Sequence, residues 1–279
     1  QPSNGITVWP GPLDHFVVTA PGTPQVAGVP FNVTVTAYDA YDNIKTDYFG
    51  TVTFDSSDPQ AQLPPDDGSD WSAGAAQFLL ELHTTGSQWY SVTDSVTDIT
   101  RRSANITVQP GALGSFTVTA PTPQVAGAPF DVTVTARDVY NNLKTDYQGL
   151  VTFTSSDPLA QLPSDGIAGW GNGAKQFSLE LRTAGSQWYS VEDGAVMQRS
   201  GNITVGPGPL KVIRINSAPN NGGAIHGHPV EVGTHTMDIY GTYTVWAGGY
   251  DEWDNYRADV PVDWSGTGVL DQGGFDPDR

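Results

Sequence analysis

A five-residue pattern, Asp-x-aromatic-x-Asn, occurs three times in the chain and contains residue types that bind hard cations. Its outer residues are Asp39 and Asn43, Asp138 and Asn142, and Asp251 and Asn255. Carboxylate and amide oxygens are ligands that Ca²⁺ accepts, although one ion needs about six to eight oxygens. Asp and Asn are also common turn formers. Calcium binding, which the net charge of −18 favours, is one interpretation of these turns, and simple turn formation is the other.

Two tryptophans occupy equivalent positions in two copies of Gly-Ser-Gln-Trp-Tyr-Ser-Val. They are Trp89 and Trp188. Neighbouring side chains of a strand point to opposite faces, so if Tyr90 and Tyr189 face the core, the tryptophans face solvent. Exposed indoles commonly mark a contact surface. We expect a contact with another domain or another chain, and the alternative is a surface glycan stacked on the indole.

Three Asn-x-Thr sequons are candidate sites of N-linked glycosylation. They begin at Asn32, Asn105 and Asn202. The alternation of apolar and polar residues places Asn32 on the outer face of its strand, which permits modification. Sequons also arise by coincidence in Thr-rich strands, so glycosylation at these positions is a hypothesis.

Motifs of hydrolases and nucleotide-binding enzymes are missing from the sequence. It contains no Gly-x-Ser-x-Gly, no His-Glu-x-x-His and no phosphate-binding loop. His226, His228 and His235 could hold Zn²⁺, but their spacing matches no firm signature, and a histidine-bearing surface loop is the simpler interpretation. Apart from calcium, no cofactor is suggested. The sequence therefore indicates a protein that is not an enzyme.

A six-residue motif, Ile-Thr-Val-x-Pro-Gly, marks a large internal repeat. It occurs at residues 6–11, 106–111 and 203–208, in steps of 100 and 97 residues. Gln25–Phe54 and Gln124–Phe153 agree at 22 of 30 positions, which indicates that one fold is used twice. The predicted organisation is an orphan strand at 1–11, complete domains at 12–110 and 111–208, and a partial domain at 209–279.

Alternation of apolar and polar residues is typical of half-buried strands in both repeats. Phe31, Val33, Val35 and Ala37 fall on one face of such a segment, with Asn and Thr on the other. The 32 glycines and 21 prolines punctuate the short segments as turns. No long helix is predicted. About seven short strands in each repeat predict an all-β fold of tandem immunoglobulin-like (Ig-like) β-sandwich domains, the third incomplete or shortened.

The first copy of the six-residue motif has no repeat before it, while the third repeat lacks the strands that close the other two. The candidate inter-subunit strand consists of Ile6, Thr7, Val8 and Trp9. We predict that it completes an open sandwich edge near Val262 and Trp264 of a second copy, which gives head-to-tail assembly. The alternative is that the 279 residues are a segment of a longer array.

Composition restricts the partners of this chain. With 12 basic and 30 acidic residues, its surface repels nucleic acid and anionic lipid. No apolar run approaches the roughly 18 residues that a membrane span needs. There are no cysteines, so disulfides and thiol chemistry are excluded. The chain begins at Gln1, from which we expect a processed product. We expect no nucleic-acid partner and no membrane insertion.

Three stretches of the first repeat carry a resemblance to a known group of proteins. They are AGVPFNVTVTAYDAYDN at 27–43, GTVTFDSSDPQAQLP at 50–64 and LHTTGSQWYSV at 82–92. Over residues 12–208 the sequence resembles the tandem Ig-like repeats of large secreted and surface-attached bacterial proteins, and over 209–270 it resembles them more loosely. The resemblance implies an extracellular, usually non-catalytic spacer or adhesive array, with no active site to carry over.

These observations predict a secreted, rod-like structural scaffold of the cell surface that serves spacing, adhesion or self-assembly into filaments. Its expected partners are other copies of itself or neighbouring Ig-like domains, with surface glycans as a further candidate. The alternative from a different class is a carbohydrate-binding accessory module of a larger secreted hydrolase. In that case polysaccharide, rather than another Ig-like domain, is the partner of Trp89 and Trp188.

Overall fold

The computed structural model describes residues 6–22, 24–65, 71–119, 121–164, 169–216 and 244–263. The chain divides into two compact units. Unit 1 consists of Gln1–Ser115, Ala136–Tyr147 and Trp170–Gly173, and unit 2 of Phe116–Thr135, Gln148–Gly169 and Ala174–Arg279. The segment 136–147, which belongs to the second repeat by sequence, is therefore part of unit 1.

The first repeat is built from short strands. In chain order they are β1 (Leu13–Thr19), β2 (Gln25–Val26), β3 (Phe31–Asp39), β4 (Val52–Ser56), β5 (Ala75–Leu80), β6 (Gly86–Gln88), β7 (Tyr90–Asp94), β8 (Thr100–Arg102) and β9 (Ile106–Gln109). β3 lies between β1 and β5 in an antiparallel sheet, and β7 lies between β4 and β8 in a second. β9 pairs parallel with β2 and antiparallel with β6.

The small sheets of the first repeat combine into two layers. Only Trp89 separates β6 from β7, and three residues separate β8 from β9. The amide of Ser103 also donates to the carbonyl oxygen of Tyr90 at 2.8 Å, so we assign the two small sheets that contain these strands to one layer. The result is one layer of β1, β3 and β5 and a second layer of β4, β6–β7, β8–β9 and β2. Two facing layers that are antiparallel apart from the β2–β9 pair have the arrangement of an Ig-like sandwich.

The core of the first repeat lies between the two layers. Phe16 and Val35 of the first layer and Val92 and Ile106 of the second are all fully buried and belong to one apolar cluster. The rings of Phe54 in β4 and Phe78 in β5 pack edge to face across the layers, with centroids 4.8 Å apart. The apolar residues whose alternation predicts the strands are therefore the residues that form the core.

The second repeat has the same plan. Its strands are β10 (Leu113–Thr119), β11 (Gln124–Val125), β12 (Pro129–Asp138), β13 (Thr152–Ser155), β14 (Ala174–Glu180), β15 (Gly185–Gln187), β16 (Tyr189–Asp193), β17 (Val196–Arg199) and β18 (Ile203–Gly206). The parallel pairing recurs between β11 and β18, and the rings of Phe153 and Phe177 again lie 4.8 Å apart. The duplication seen in the sequence is thus a duplication of structure.

The described part of the third repeat is a three-stranded antiparallel sheet. Its strands are β19 (Val212–Asn216), β20 (Trp246–Tyr250) and β21 (Tyr256–Asp259), with β20 in the centre. The all-β prediction is confirmed throughout the described ranges, where the chain forms no helix that is long and apolar enough to cross a membrane. Trp264 and the three histidines of the zinc hypothesis lie outside the described residues.

Two tryptophans take core positions that the sequence did not predict. Trp71 and Trp170 are each 6% exposed, and their rings pack edge to face on Tyr48 and Tyr147, respectively. Trp170 thereby anchors the glycine-rich run 169–173 in the core.

Candidate functional site

The Asp138–Asn142 turn closes on the carboxylate of its own first residue. Asp138 Oδ1 accepts hydrogen bonds from the main-chain amides of Tyr140 at 2.9 Å and Asn142 at 2.8 Å. Asn141 adopts the left-handed conformation with a φ of 68°, which Asn and Asp tolerate better than most residues. The same two bonds form in the other copies, at Asp39–Asn43 and Asp251–Asn255.

The second oxygen of each turn carboxylate binds the glycine that ends the Ile-Thr-Val-x-Pro-Gly motif. The amides of Gly11, Gly111 and Gly208 donate to Oδ2 of Asp39, Asp138 and Asp251 at 2.8, 2.9 and 2.7 Å. Each aspartate is 2% exposed. The two repeated motifs of the sequence are therefore one structural unit, which we call the glycine clamp: the motif glycine together with the Asp of the following turn.

A lysine completes the glycine clamp in the first two copies. Lys45 Nζ donates to the carbonyl oxygen of Gly11 at 2.9 Å, and Lys144 Nζ donates to that of Gly111 at 2.7 Å. The amide of each of these glycines is thereby bound by the turn aspartate. Its carbonyl oxygen is bound by the lysine that lies two residues after the turn. Lys45 and Lys144 therefore have equivalent hydrogen-bonding roles in the first two repeats.

The last residue of the turn binds backbone of the preceding repeat. Within unit 1, Asn142 Nδ2 donates to the carbonyl oxygen of His83 at 2.6 Å, and Asn142 Oδ1 accepts from the amide of Thr85 at 3.2 Å. Within unit 2, Asn255 makes the same pair of bonds with the carbonyl of Arg182, at 2.7 Å, and the amide of Ala184, at 2.8 Å. A side-chain amide thus pairs with a main-chain edge as a neighbouring strand does.

The aromatic residue of the turn packs against the same segment. The ring of Tyr140 stacks on His83 with centroids 4.0 Å apart, and its hydroxyl donates to Glu81 Oε1 at 3.1 Å. The ring also lies over Gly28, which has a φ of 77° and where an added Cβ would come within 2.4 Å of the ring. In unit 2, Trp253 occupies the corresponding place over Gly127.

Asp58 shapes the backbone segment that receives the Asn142 side chain. Its Oδ2 accepts from the amides of His83 at 2.6 Å and Thr84 at 2.8 Å. Burial alone would raise the pKa of Asp58, but the hydrogen bonds from Thr84 and its neighbours outweigh burial and lower this pKa below its ordinary value. Asp157 has a lowered pKa for the same balance of causes.

The first copy of the turn has its outer side exposed. Tyr41, which corresponds to the packed Tyr140, is 85% exposed. Asn43 is exposed, and in the described part of the chain its side chain donates to Asp39 within its own turn. Ile6, Val8 and Trp9 precede it without regular secondary structure and are 90%, 85% and 73% exposed.

The predicted calcium ligands take part in these hydrogen bonds. The carboxylate oxygens of all three turns accept two or more bonds from amide groups. No group of three His, Cys, Asp or Glu side chains in the described ranges could hold a metal ion. Calcium binding stays a prediction, while turn formation and glycine binding are what the structure shows these residues doing.

Trp89 and Trp188 are half-buried, and an arginine covers each ring. The guanidinium carbon of Arg102 lies 4.8 Å from the Trp89 ring centroid, and Arg102 donates to Asn105 Oδ1 at 2.9 Å. The second repeat has the same stack, formed by Trp188, Arg199 and Asn202. Two of the three sequon asparagines thus hold an arginine in place, and Asn32 is exposed on β3.

A cleft of about 650 Å³ lies along β5 and the segment 62–65 of the first repeat. Among the described residues that line it, Glu81 carries the one ionisable side chain. Glu81 is bound to the Tyr140 hydroxyl and lies 2.7 Å from His83 Nε2. Within the described part of the chain, this cleft therefore offers no second carboxylate that could serve with Glu81 as an acid and base pair.

A scan of protein-family models and a search of curated proteins find no match to this chain. Several solved structures are similar to it. The Escherichia coli adhesin FdeC is 19% identical over 88% of this chain and 77% of its own, with a TM-score of 0.44. The Yersinia pseudotuberculosis adhesin InvE is 15% identical over 85% of this chain and 68% of its own, with a TM-score of 0.34.

Domains 5–6 of the S-layer protein SbsC are 16% identical over 69% of this chain and 97% of their own, with a TM-score of 0.28. These structural neighbours are adhesins and a surface-layer protein. None of these similarities assigns a role to a residue of this chain.

The two bonds of Asn142 to the preceding repeat predict a difference between equivalent asparagines. Asn142→Ala leaves a carbonyl and an amide of segment 83–85 unpaired, so we expect it to lower the free energy of unfolding by about 1–3 kcal/mol. Asn43→Ala removes only bonds within its own turn, so we expect a loss of about 0.5 kcal/mol. Urea unfolding at neutral pH measures both, and equal losses would contradict this role of Asn142.

The lowered pKa of Asp58 predicts loss of stability in acid. A carboxylate whose pKa is lower in the folded than in the unfolded state, where it is about 3.9, stabilises the fold above that pH. This contribution is lost as the pH falls through the folded-state value. We expect wild-type stability to fall as the pH decreases below about 5, and the fall to be smaller in Asp58→Asn. The exposed Asp131→Asn is the control, and an unchanged pH dependence in Asp58→Asn refutes the prediction.

Proposed function

We propose that this chain is a structural, non-catalytic array of Ig-like domains that serves spacing or adhesion at a cell surface. The observation that carries the proposal is the glycine clamp, which occurs in all three repeats with nearly the same distances. It joins the segment that ends one repeat to the first long turn of the next. A chain that fixes every such connection in the same way is suited to holding domains in series.

The hydrogen bonds of the buried aspartates support this proposal. In the described ranges, the buried aspartates of the turns bind main-chain amides, and so do Asp58 and Asp157, which contact the segments that receive the turn asparagines. Each such bond stabilises a connection between strands, and none aligns a nucleophile with a base, as catalysis requires. The acidic net charge of −18 keeps such a chain soluble and directs it toward cationic rather than anionic surfaces.

The finer part of the proposal is head-to-tail assembly through Ile6–Trp9. The same motif in the first repeat forms β9, where Ile106 is 0% and Val108 is 3% exposed. Ile6 and Val8 present the same side chains to solvent. An exposed strand of this pattern fits the open edge of another sandwich, with main-chain hydrogen bonds for affinity and two apolar side chains for register.

The carbohydrate-module alternative has less support from the contacts of the tryptophans. Flat stacking on a sugar ring needs an open indole face. The guanidinium groups of Arg102 and Arg199 already cover one face of Trp89 and Trp188. These tryptophans and arginines instead connect β6–β7 and β15–β16 to neighbouring segments of their own repeats. Binding of the purified chain to polysaccharide would favour this alternative.

Strand donation predicts that assembly depends on the inward-facing residues of the exposed strand. Ile6→Asp places a charge where a buried Ile106 equivalent should be, so we expect it to abolish concentration-dependent assembly in sedimentation velocity. Thr7→Asp is the matched control, because the equivalent Thr107 is exposed in β9, and it should assemble as the wild type does. Wild-type chain that stays monomeric, or Ile6→Asp chain that assembles normally, contradicts strand donation.

A further inference from the structure

The outer side of the Asp39–Asn43 turn matches two surfaces that are occupied elsewhere in the chain. As in Asp138–Asn142 and Asp251–Asn255, the Oδ1 atom of its aspartate accepts hydrogen bonds from the amides of the third and fifth turn residues. Yet the aromatic and amide side chains that bind a sandwich in the other two copies are exposed in this one. The surface therefore has a defined geometry and, within the described part of the chain, no occupant.

We propose that Ile6–Trp9 and the Asp39–Asn43 turn form one composite docking site for a further Ig-like sandwich of this repeat type. Ile6–Trp9 enters that sandwich as its closing strand, and the end of the sandwich then rests on Tyr41 and Asn43. This inference rests on the proposed array function and adds the identity of the contact surface.

The surroundings of Gly11, compared with those of Gly111 and Gly208, support a further sandwich as the partner. An added Cβ at Gly111 would come within 2.6 Å of the carbonyl oxygen of Ala27, and one at Gly208 within 2.9 Å of that of Ala126. Glycine is required at both places because backbone of the preceding sandwich lies against it. At Gly11 the nearest atom belongs to Asp39, at 3.6 Å. The described contacts leave room for a side chain there, whereas a preceding sandwich would fill that room.

The chemistry of the partner follows from the occupied copies. To bind Asn43, the partner must present a carbonyl and, two residues later, an amide, as His83 and Thr85 do for Asn142. To accept the ring of Tyr41 it needs a glycine with positive φ, as Gly28 provides with 77° for Tyr140. Both features belong to the end of a sandwich in this repeat family.

The two described ends of this kind are already in use. Segment 83–85 binds Asn142, and segment 182–184 binds Asn255. Tyr140 and Trp253 cover the adjacent glycines. A second copy that docked through its first or second repeat would have to displace one of these contacts. The occupant is therefore a sandwich other than the first and second repeats of this chain.

A chain extended by one repeat tests the proposal directly. A further copy of residues 111–202 is fused to the N-terminal side of Ile6, so that Ile6 follows it as Ile203 follows Asn202 in the parent chain. The sequences of segments 6–11 and 39–46 occur once each in the extended chain, so hydrogen exchange with mass spectrometry follows them separately. We expect the exchange rate of both segments to be lower than in the parent chain by a factor of about ten or more.

Asn43→Ala in the extended chain separates docking from strand completion. It should restore fast exchange at 39–46 and leave 6–11 protected. The proposal is overturned if 39–46 exchanges in the extended chain at the parent rate, whether or not 6–11 is protected. The covalent extension supplies the partner, so a parent chain that fails to self-assemble weakens strand donation between chains without affecting this measurement.

Discussion

The hydrogen bond from the motif glycine to the turn aspartate is the interaction on which the rest of the structure depends. Gly111 follows the closing strand of one repeat, and Asp138 ends the longest strand of the next. The bond fixes where the chain leaves one sandwich and where the following turn begins. The same carboxylate closes the turn, so the positions of the aromatic ring and of the terminal asparagine are set by it.

Physical chemistry explains why an aspartate occupies this position. A buried carboxylate is costly unless several donors satisfy it. Asp39 accepts from the amides of Gly11, Tyr41 and Asn43 and from the Asn43 side chain. The Gly11 amide is the largest of the causes that lower the pKa of Asp39 below its usual value. The charge is thus stabilised by main-chain amides and by the Asn43 side chain.

Residue alternation, repeat spacing and the turn pattern made much of this fold predictable. Alternation at Phe31–Ala37 marks β3, and the repeat at Gln124–Phe153 marks the duplicated sandwich. The contacts of the site were not predictable, because Asn142 binds backbone 57 and 59 residues earlier in the chain. The signal that could have found them is the joint repetition of the Pro-Gly pair and the Asp-x-aromatic-x-Asn turn. Likewise, the burial of Trp170 depends on Tyr147, which no local pattern indicates.

Amide hydrogen exchange at Gly111 tests the central claim most directly. In the wild type this amide donates to a buried carboxylate and should exchange slowly. In Asp138→Ala it loses its acceptor, so we expect its exchange rate to rise by a factor of about ten or more. The core amides of β16 report whether the second repeat stays folded in the variant. The account is contradicted if the Gly111 amide exchanges at the same rate in both proteins while those core amides remain protected.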